Sequence, residues 1–448
     1  MRAEAQGGAR HGEEPAVALL AWGNVLEDFL DPLGVSLETF RKEFRGSWIF
    51  GFAAALQRAG LRPVLVYASR QVRAPERVTH EPTGATIHLL RAPFLYRLIA
   101  RRMTYPYGQT VTQMFGEIHG PKRMLLPLYR LAKELALYLA TPPLALARVL
   151  RSEKCTAIVC QEYEYPRFDV CVLLGRLTRR RVFGCFQGGT YHHSAVERFV
   201  RPRAIRAATG LIIGPQTEVE RVASSYGPSL SKVGRIFNPI DTDAWRPMDR
   251  AAARAEVGLA VGTSVAVWHG RVAIDKKGLD VLVDAWERIL ESHVDRDVRL
   301  LLVGTGDDAP KLERRLRTSR LAAGVLWINR FVHDAEAVRR YLAAGDVYVF
   351  PSRYEGFPVA PLEAMACGLP VVATDVEGIR EIFADGEASG GVVVASEDPE
   401  SLASVLDELL REPARRRELG LAARRRVEST FSLDATGERL RSFLGAAA

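Results

Sequence analysis

Lysine is scarce in this chain, cysteine is sparse and unpaired, and no apolar run is long. Only 8 of the 61 basic residues are lysine and the other 53 are arginine. So strong an arginine bias can arise from coding composition. The formal charge of +8 is therefore no sign of a nucleic-acid partner by itself. The sequence also shows no nucleic-acid-binding module, and the interleaved aromatic and basic residues near Tyr96–Tyr107 are weak evidence for one. The five cysteines, Cys155, Cys160, Cys171, Cys185 and Cys367, are odd in number and form no C-x-x-C pair. That argues against a disulfide framework or a zinc site and fits a reducing cytoplasm. Met1–Glu14 is polar, so a signal peptide is not expected. The longest apolar stretch, near Leu135–Ala147, is broken by Pro142-Pro143. It falls short of the ~18–20 residues that span a bilayer. No phosphate loop of the form G-x-x-x-x-G-K-[ST] is present, and Gly304-Thr-Gly306 lacks the third glycine of a dinucleotide fingerprint.

What the chain does have is a soluble balance, 48% hydrophobic and 25% charged, which excludes a disordered or collagen-like chain. Its 448 residues suggest two or three domains at about 100–200 residues each. Short apolar runs alternate with helical patterns. Ala16–Ala21, Pro63–Tyr67, Ala157–Cys160, Val182–Phe186 and Leu211–Ile213 read as strands, and Ser47–Ala59 reads as a helix. A second series follows: strands at Val265–Trp268, Arg299–Val303, Val325–Ile328, Val347–Phe350 and Pro370–Ala373, with helices between. Strands apolar on both faces point to parallel sheets covered by helices. The turn-rich segment Asn238–Asp249 separates the two series. We therefore expect an α/β protein of two doubly wound, Rossmann-like domains, with ligands at the carboxyl ends of the strands. The boundaries read as 15–237 and 238–430, with 431–446 returning to the first domain.

Two segments concentrate chemistry. In the first, a strand ending at Phe350 runs into Pro351-Ser-Arg-Tyr-Glu355-Gly356-Phe357-Pro358-Val359 and then a helix carrying Glu363. Amides free at a helix start favour anions, and Glu355 and Glu363 can accept hydrogen bonds from sugar or ribose hydroxyls. Taken alone, either carboxylate reads as an ordinary turn or helix-surface residue. In the second, Trp268-His269-Gly270-Arg271 leads to Lys277-Gly278. Arg271 and Lys277 can neutralise a diphosphate and so remove the need for a divalent metal, or they can be solvated loop cations.

These residues resemble the retaining glycosyltransferases of the GT-B fold, the glycosyltransferase family 4 type or "glycosyl transferases group 1". The likeness is clear from about Ser231 to Phe443 and weaker before. The resemblance implies Arg271 and Lys277 on the donor diphosphate and Glu355 on the transferred sugar. It implies the backbone of Gly356, Phe357, Pro358 and Val359 on sugar and phosphate, Glu363 on the ribose, and Arg330–Val332 (hence Phe331 and Val332) beside the base. It also implies a final helix, Phe431–Leu444, crossing to the first domain. Gly46 stands where relatives place a glycine pair near the donor phosphate. Gln187 stands where they often have a histidine. Gln cannot act as a base, so His192 or His193 reaches the site or no protein base is needed. Glu162 and Glu164, with Arg167, are expected at the cleft as acceptor-side residues.

The implied activity is transfer of a sugar from a nucleotide-diphosphate sugar to a small-molecule, glycan or lipid-linked acceptor, without cofactor, metal or nucleic acid. A catalytically silent, glycosyltransferase-like scaffold is the alternative. Between Arg97 and Lys154 ten basic residues face three acidic ones. Phe94, Leu95, Leu98 and Ile99 lie beside Arg97, Arg101 and Arg102, and Leu125–Leu131 beside Lys122, Arg123 and Arg130. That stretch reads either as a solvated face or as a surface for anionic membrane, which would put a cytoplasmic protein at the inner face.

Overall fold

The computed structural model of the chain describes residues 14–446 other than 32–33, 44–47, 109, 189–193, 293–296, 318 and 333. Gly46, His192 and His193 lie outside the described residues. Two sheets are present. The first has eight strands in the order β3-β4-β2-β1-β5-β6-β7-β8. They are β1 Ala16–Leu20, β2 Arg62–Ser69, β3 Glu76–Thr79, β4 Thr86–Arg91, β5 Cys155–Gln161, β6 Arg181–Cys185, β7 Gly210–Ile212 and β8 Val233–Gly234. All pair in parallel except β3, which runs antiparallel to β4 at the edge. The second sheet has six parallel strands in the order β11-β10-β9-β12-β13-β14. These are β9 Ser264–His269, β10 Val298–Val303, β11 Val325–Ile328, β12 Val347–Phe350, β13 Val371–Thr374 and β14 Gly391–Val394. Numbered from its own first strand, this is the 3-2-1-4-5-6 order of the doubly wound fold.

Why these segments are strands is visible in their burial. In β9, Val265 and Val267 face one core while Ala266 and Trp268 face the other. In β1, Ala18 and Leu20 face one side and Val17 and Leu19 the opposite side. Each sheet is thus a middle layer between two helical layers, which requires apolar side chains at every position. Edge strand β3 is the exception. Its residues are mostly exposed, and it carries no apolar run by which the sequence could announce it. It is tied down by Glu153, whose carboxylate accepts from Arg62, Arg77 and His88. Burial pushes that carboxyl up, but these hydrogen bonds outweigh it and bring it down to about 2.

The helices used below are α1 Trp48–Arg58, α2 Phe94–Ala100, α3 Leu126–Leu139, α4 Gln216–Tyr226, α5 Leu279–Ser292, α6 Ala360–Ala366 and α7 Leu433–Ala446. The last helix belongs to the first domain's core. Leu433, Leu440 and Leu444 pack in one cluster with Phe50 and Leu56 of α1. The approach is close enough that Gly437 has no room for a side chain, because a Cβ there would stand 2.3 Å from the Ala55 carbonyl oxygen. In most helix interiors Gly→Ala stabilises by about 1 kcal/mol. Here Gly437→Ala is expected to destabilise by about 1–3 kcal/mol, as overpacking does, and to lower Tm in scanning calorimetry. A raised Tm would mean that α7 is not seated on α1.

Candidate active site between the two sheets

A doubly wound sheet leaves a crevice where neighbouring strands lead their connections to opposite faces. In the second sheet that point lies between β9 and β12, so the segments after His269 and after Phe350 meet there. The two loops are braced against each other. The Arg353 backbone amide donates to the Lys276 carbonyl at 3.0 Å, and its guanidinium forks onto Asp280 at 2.8 Å twice. Gly278, at φ +58°, turns the chain out of the short helix Ile274–Lys277. It lies so close to the Pro351 carbonyl that a Cβ would sit 1.9 Å from its oxygen.

The bracing delivers Lys277 to Glu355, with Nζ 2.5 Å from Oε1. Both side chains are partly exposed, so a stronger anion can take the ammonium from the carboxylate. Arg271 stands apart from this pair. It is exposed on the rim and meets Asp307 at 3.3 Å. Glu363, in α6, is held by a residue to which the sequence assigned no role. His269 Nε2 lies 2.7 Å from Glu363 Oε2. The sequence hint was a polar residue closing an otherwise apolar strand.

His269, Glu363, Val359, Phe331 and Val332 line one wall of a cleft of about 830 Å³. The opposite wall includes Phe29, Phe50 and Gly51 of the first domain, and Asn238–Asp241 forms part of the lining. This volume falls within the ~300–1,000 Å³ of ligand pockets. Lys277 and Glu355 stand on the β9/β12 crevice beside it.

The first sheet presents its carboxyl edge to the same region. Gln187, after β6, and Asn238, at the start of the linker, exchange two amide hydrogen bonds of 2.8 Å. Gln187 Nε2 also lies 3.2 Å from the Cys185 sulfur; burial pushes that thiol up to about 12, so it is no thiolate nucleophile. Beyond Gln187 the two domains touch through backbone. A Cβ on Gly356 would lie 2.7 Å from the Gly188 Cα. Phe357 stacks on Phe237 with centroids 5.0 Å apart. At the flank, the first backbone amide of α4 at Gln216 donates to Glu381, and Thr217 donates to Glu377, both at 2.6 Å.

One acceptor-side expectation needs correction. Glu164 does not face the cleft. It is buried, pairs with Arg221 and with Arg201 at 3.7 Å, and accepts from the Tyr226 hydroxyl. Glu162 is also buried, and its backbone amide donates to the Cys185 carbonyl at 2.7 Å. The topological rule identifies the edge of a sheet, not the direction a side chain takes from it, and Glu164 turns into the domain. Arg167 is buried as well and donates to the carbonyls of Ala21 and Gly23. Among the described residues no group of three or more His, Cys, Asp or Glu is placed to hold a metal ion.

Two parallel-sheet Rossmann-like domains facing a common cleft, with a returning last helix, define the GT-B architecture. Solved structures agree over nearly the whole chain. Sucrose-phosphate synthase from Thermosynechococcus elongatus matches with a TM-score of 0.65 at 20% identity, covering 97% of this chain and 100% of that one. Anabaena HepE in complex with UDP matches with a TM-score of 0.66 at 14% identity, covering 96% and 100%. Residues 263–412 match the family described as glycosyl transferases group 1. Among curated relatives, alpha-maltose-1-phosphate synthase of Mycolicibacterium smegmatis is 32% identical over 260 residues, 55% of this chain and 64% of that protein. D-inositol 3-phosphate glycosyltransferase of Xylanimonas cellulosilytica is 33% identical over 232 residues, 50% and 53% respectively. These alignments span less than two thirds of either relative.

The glycine–glycine contact gives a test of the arrangement. Gly356→Ala is expected to hold the domains apart and so enlarge the radius of gyration in small-angle scattering, with the far-UV spectrum unchanged. An unchanged radius would mean that the contact yields to a methyl group.

Proposed function

We propose that the protein is a glycosyltransferase. It moves a sugar from a nucleotide-diphosphate sugar to an acceptor hydroxyl, with retention of configuration, in the synthesis of a glycan, glycolipid or glycosylated metabolite. The observation that carries this reading is the convergence of Lys277, Glu355, His269 and Glu363 on one crevice inside the segment that matches that family. The family match and the relatives support catalysis over the silent scaffold.

The donor diphosphate takes the Lys277 ammonium from Glu355 and adds Arg271 at the rim. Glu355, released, accepts from hydroxyls of the transferred sugar, and the 356–359 backbone lines sugar and phosphate. Glu363 accepts from the ribose, and Phe331 and Val332 flank the base. In the reaction the bond from the anomeric carbon to the phosphate oxygen breaks as the acceptor oxygen bonds on the same face. The transition state is oxocarbenium-like, as in glycoside hydrolysis. Lys277 stabilises the charge growing on the leaving diphosphate. Gln187 cannot take a proton, and the leaving phosphate oxygen accepts the acceptor's instead. No cofactor or metal is required in this scheme.

Removing one such electrostatic partner typically costs about 10²–10³-fold in kcat. Lys277→Ala is therefore expected to lower kcat/KM for the donor by that order in a transfer assay. An unchanged value would sink the diphosphate assignment.

A cytoplasmic protein bound peripherally to the inner membrane face is the reading we favour for location. Phe94, Leu95, Leu98, Met124, Leu125, Leu128 and Leu131 are exposed on α2, α3 and the turn before α3, beside Lys122, Arg123 and Arg130. Among the described residues no helix is long and apolar enough to cross a membrane. Co-sedimentation with vesicles is expected to rise with their anionic lipid content and to weaken in L128E. Equal sedimentation with neutral and anionic vesicles would remove the membrane reading.

A further inference from the structure

The carboxyl end of β9 breaks its own pattern. Val265 and Val267 point into the core layer that also holds Leu362 and Met365 of α6. Side chains alternate along a strand, so the next position on that face is 269. An apolar residue there would extend the row beneath α6. The chain places a histidine instead, and its ring lies 5.4 Å from that of Tyr348 in β12. The carbonyl of the same residue accepts from the Tyr348 hydroxyl at 3.4 Å. His269 is thus fixed, by backbone and by ring, against the strand that leads into α6.

The two ring nitrogens differ in their surroundings. Nε2 lies 2.7 Å from Glu363 Oε2. Nδ1 is buried and has no hydrogen-bond partner among the described residues. A proton on Nδ1 would be a buried donor with nothing to receive it, which costs free energy. The ring proton therefore belongs on Nε2, where Glu363 receives it. The carboxylate is left with one oxygen engaged. Its other oxygen, Oε1, accepts no hydrogen bond among the described residues, and the side chain keeps 21% of its exposure in the lining of the cleft.

We infer that His269 is a positioning residue for nucleotide recognition: by holding Oε2 it aims Oε1 at the ribose and gives the site its preference for ribose over deoxyribose. A glutamate on a helix otherwise samples several rotamers, and ordering it on binding lowers affinity. With Oε2 already tied, that ordering precedes the nucleotide. A sugar without its hydroxyls leaves a partly buried carboxylate oxygen unpaired, and sites built to receive a hydroxyl reject analogues that lack it. The contact is the same before and during transfer, so its loss falls on affinity and not on kcat. The role rests on the reading of Glu363 as the ribose acceptor, and a variant of each residue separates the two.

Calorimetry on the full chain tests this, with UDP, GDP and ADP, and then with the 2′,3′-dideoxy form of whichever binds best. The wild type is expected to bind the ribonucleotide about tenfold or more tightly than the dideoxy form, the size of one unpaired polar group. H269L continues the row of Val265 and Val267 and so keeps α6 packed. It is expected to bring the ratio below about threefold by weakening the ribonucleotide alone. H269Q offers an amide donor near the place of Nε2 and is expected to retain most of the wild-type ratio. E363A is expected to lose the ratio as H269L does. A ratio lost in E363A but kept in H269L would overturn the positioning role and leave the ribose assignment standing. So would equal weakening of both nucleotides by H269L, or a ratio still lost in H269Q. A wild-type ratio in E363A, no preference in the wild type, or no binding of any nucleoside diphosphate would overturn the ribose assignment, and the role of His269 with it.

Discussion

The structure depends on a contact made without side chains. Gly188 and Gly356 bring backbone against backbone between the first and second domains. Around that point sit the Gln187–Asn238 amide pair and the Phe237–Phe357 stack. Each sheet is a complete doubly wound unit with its own two core layers, and neither unit alone encloses the cleft. The cleft exists because two carboxyl edges meet at a distance that only glycine on both sides permits.

Much of the fold was legible in the sequence, for one physical reason. A strand buried on both faces must be apolar throughout, so β1, β2, β5, β9, β10 and β12 appear as apolar runs. The edge strand β3 has no such requirement and was not legible. The donor-side loops were legible because close packing restricts their residues: Gly278, which lies under the Pro351 carbonyl, marks the turn, and Lys277 immediately precedes it. What pairs with what was not. Gln187 and Asn238 are 51 residues apart, and no spacing rule connects them. Glu164 was misread because an acidic residue just after a strand looks the same in sequence whether it faces the cleft or a buried arginine.

The arginine excess also has a structural use. Arg201, fully buried, joins Asp169, Glu197 and Glu164. Arg353 ties two loops, and Arg424 donates to the carbonyls of Trp245, Ala366 and Thr242. A planar fork with five donors can satisfy several acceptors at once, which a lysine cannot do. These three arginines lie outside the basic stretch from Arg97 to Lys154 and serve as internal bracing.

The seat of α7 bears on how the protein is made. Leu433, Leu440 and Leu444 complete the core that β1, β2 and α1 begin. Synthesis runs from the amino end, and domains ordinarily fold as they emerge. Here the first domain to leave the ribosome lacks part of its interior until nearly the whole chain has followed. The second domain's own core runs on to Phe431, two residues before α7 begins. The two interiors are therefore completed by adjacent stretches of chain, and the nascent first domain leaves the α1 face that α7 covers exposed until both are made.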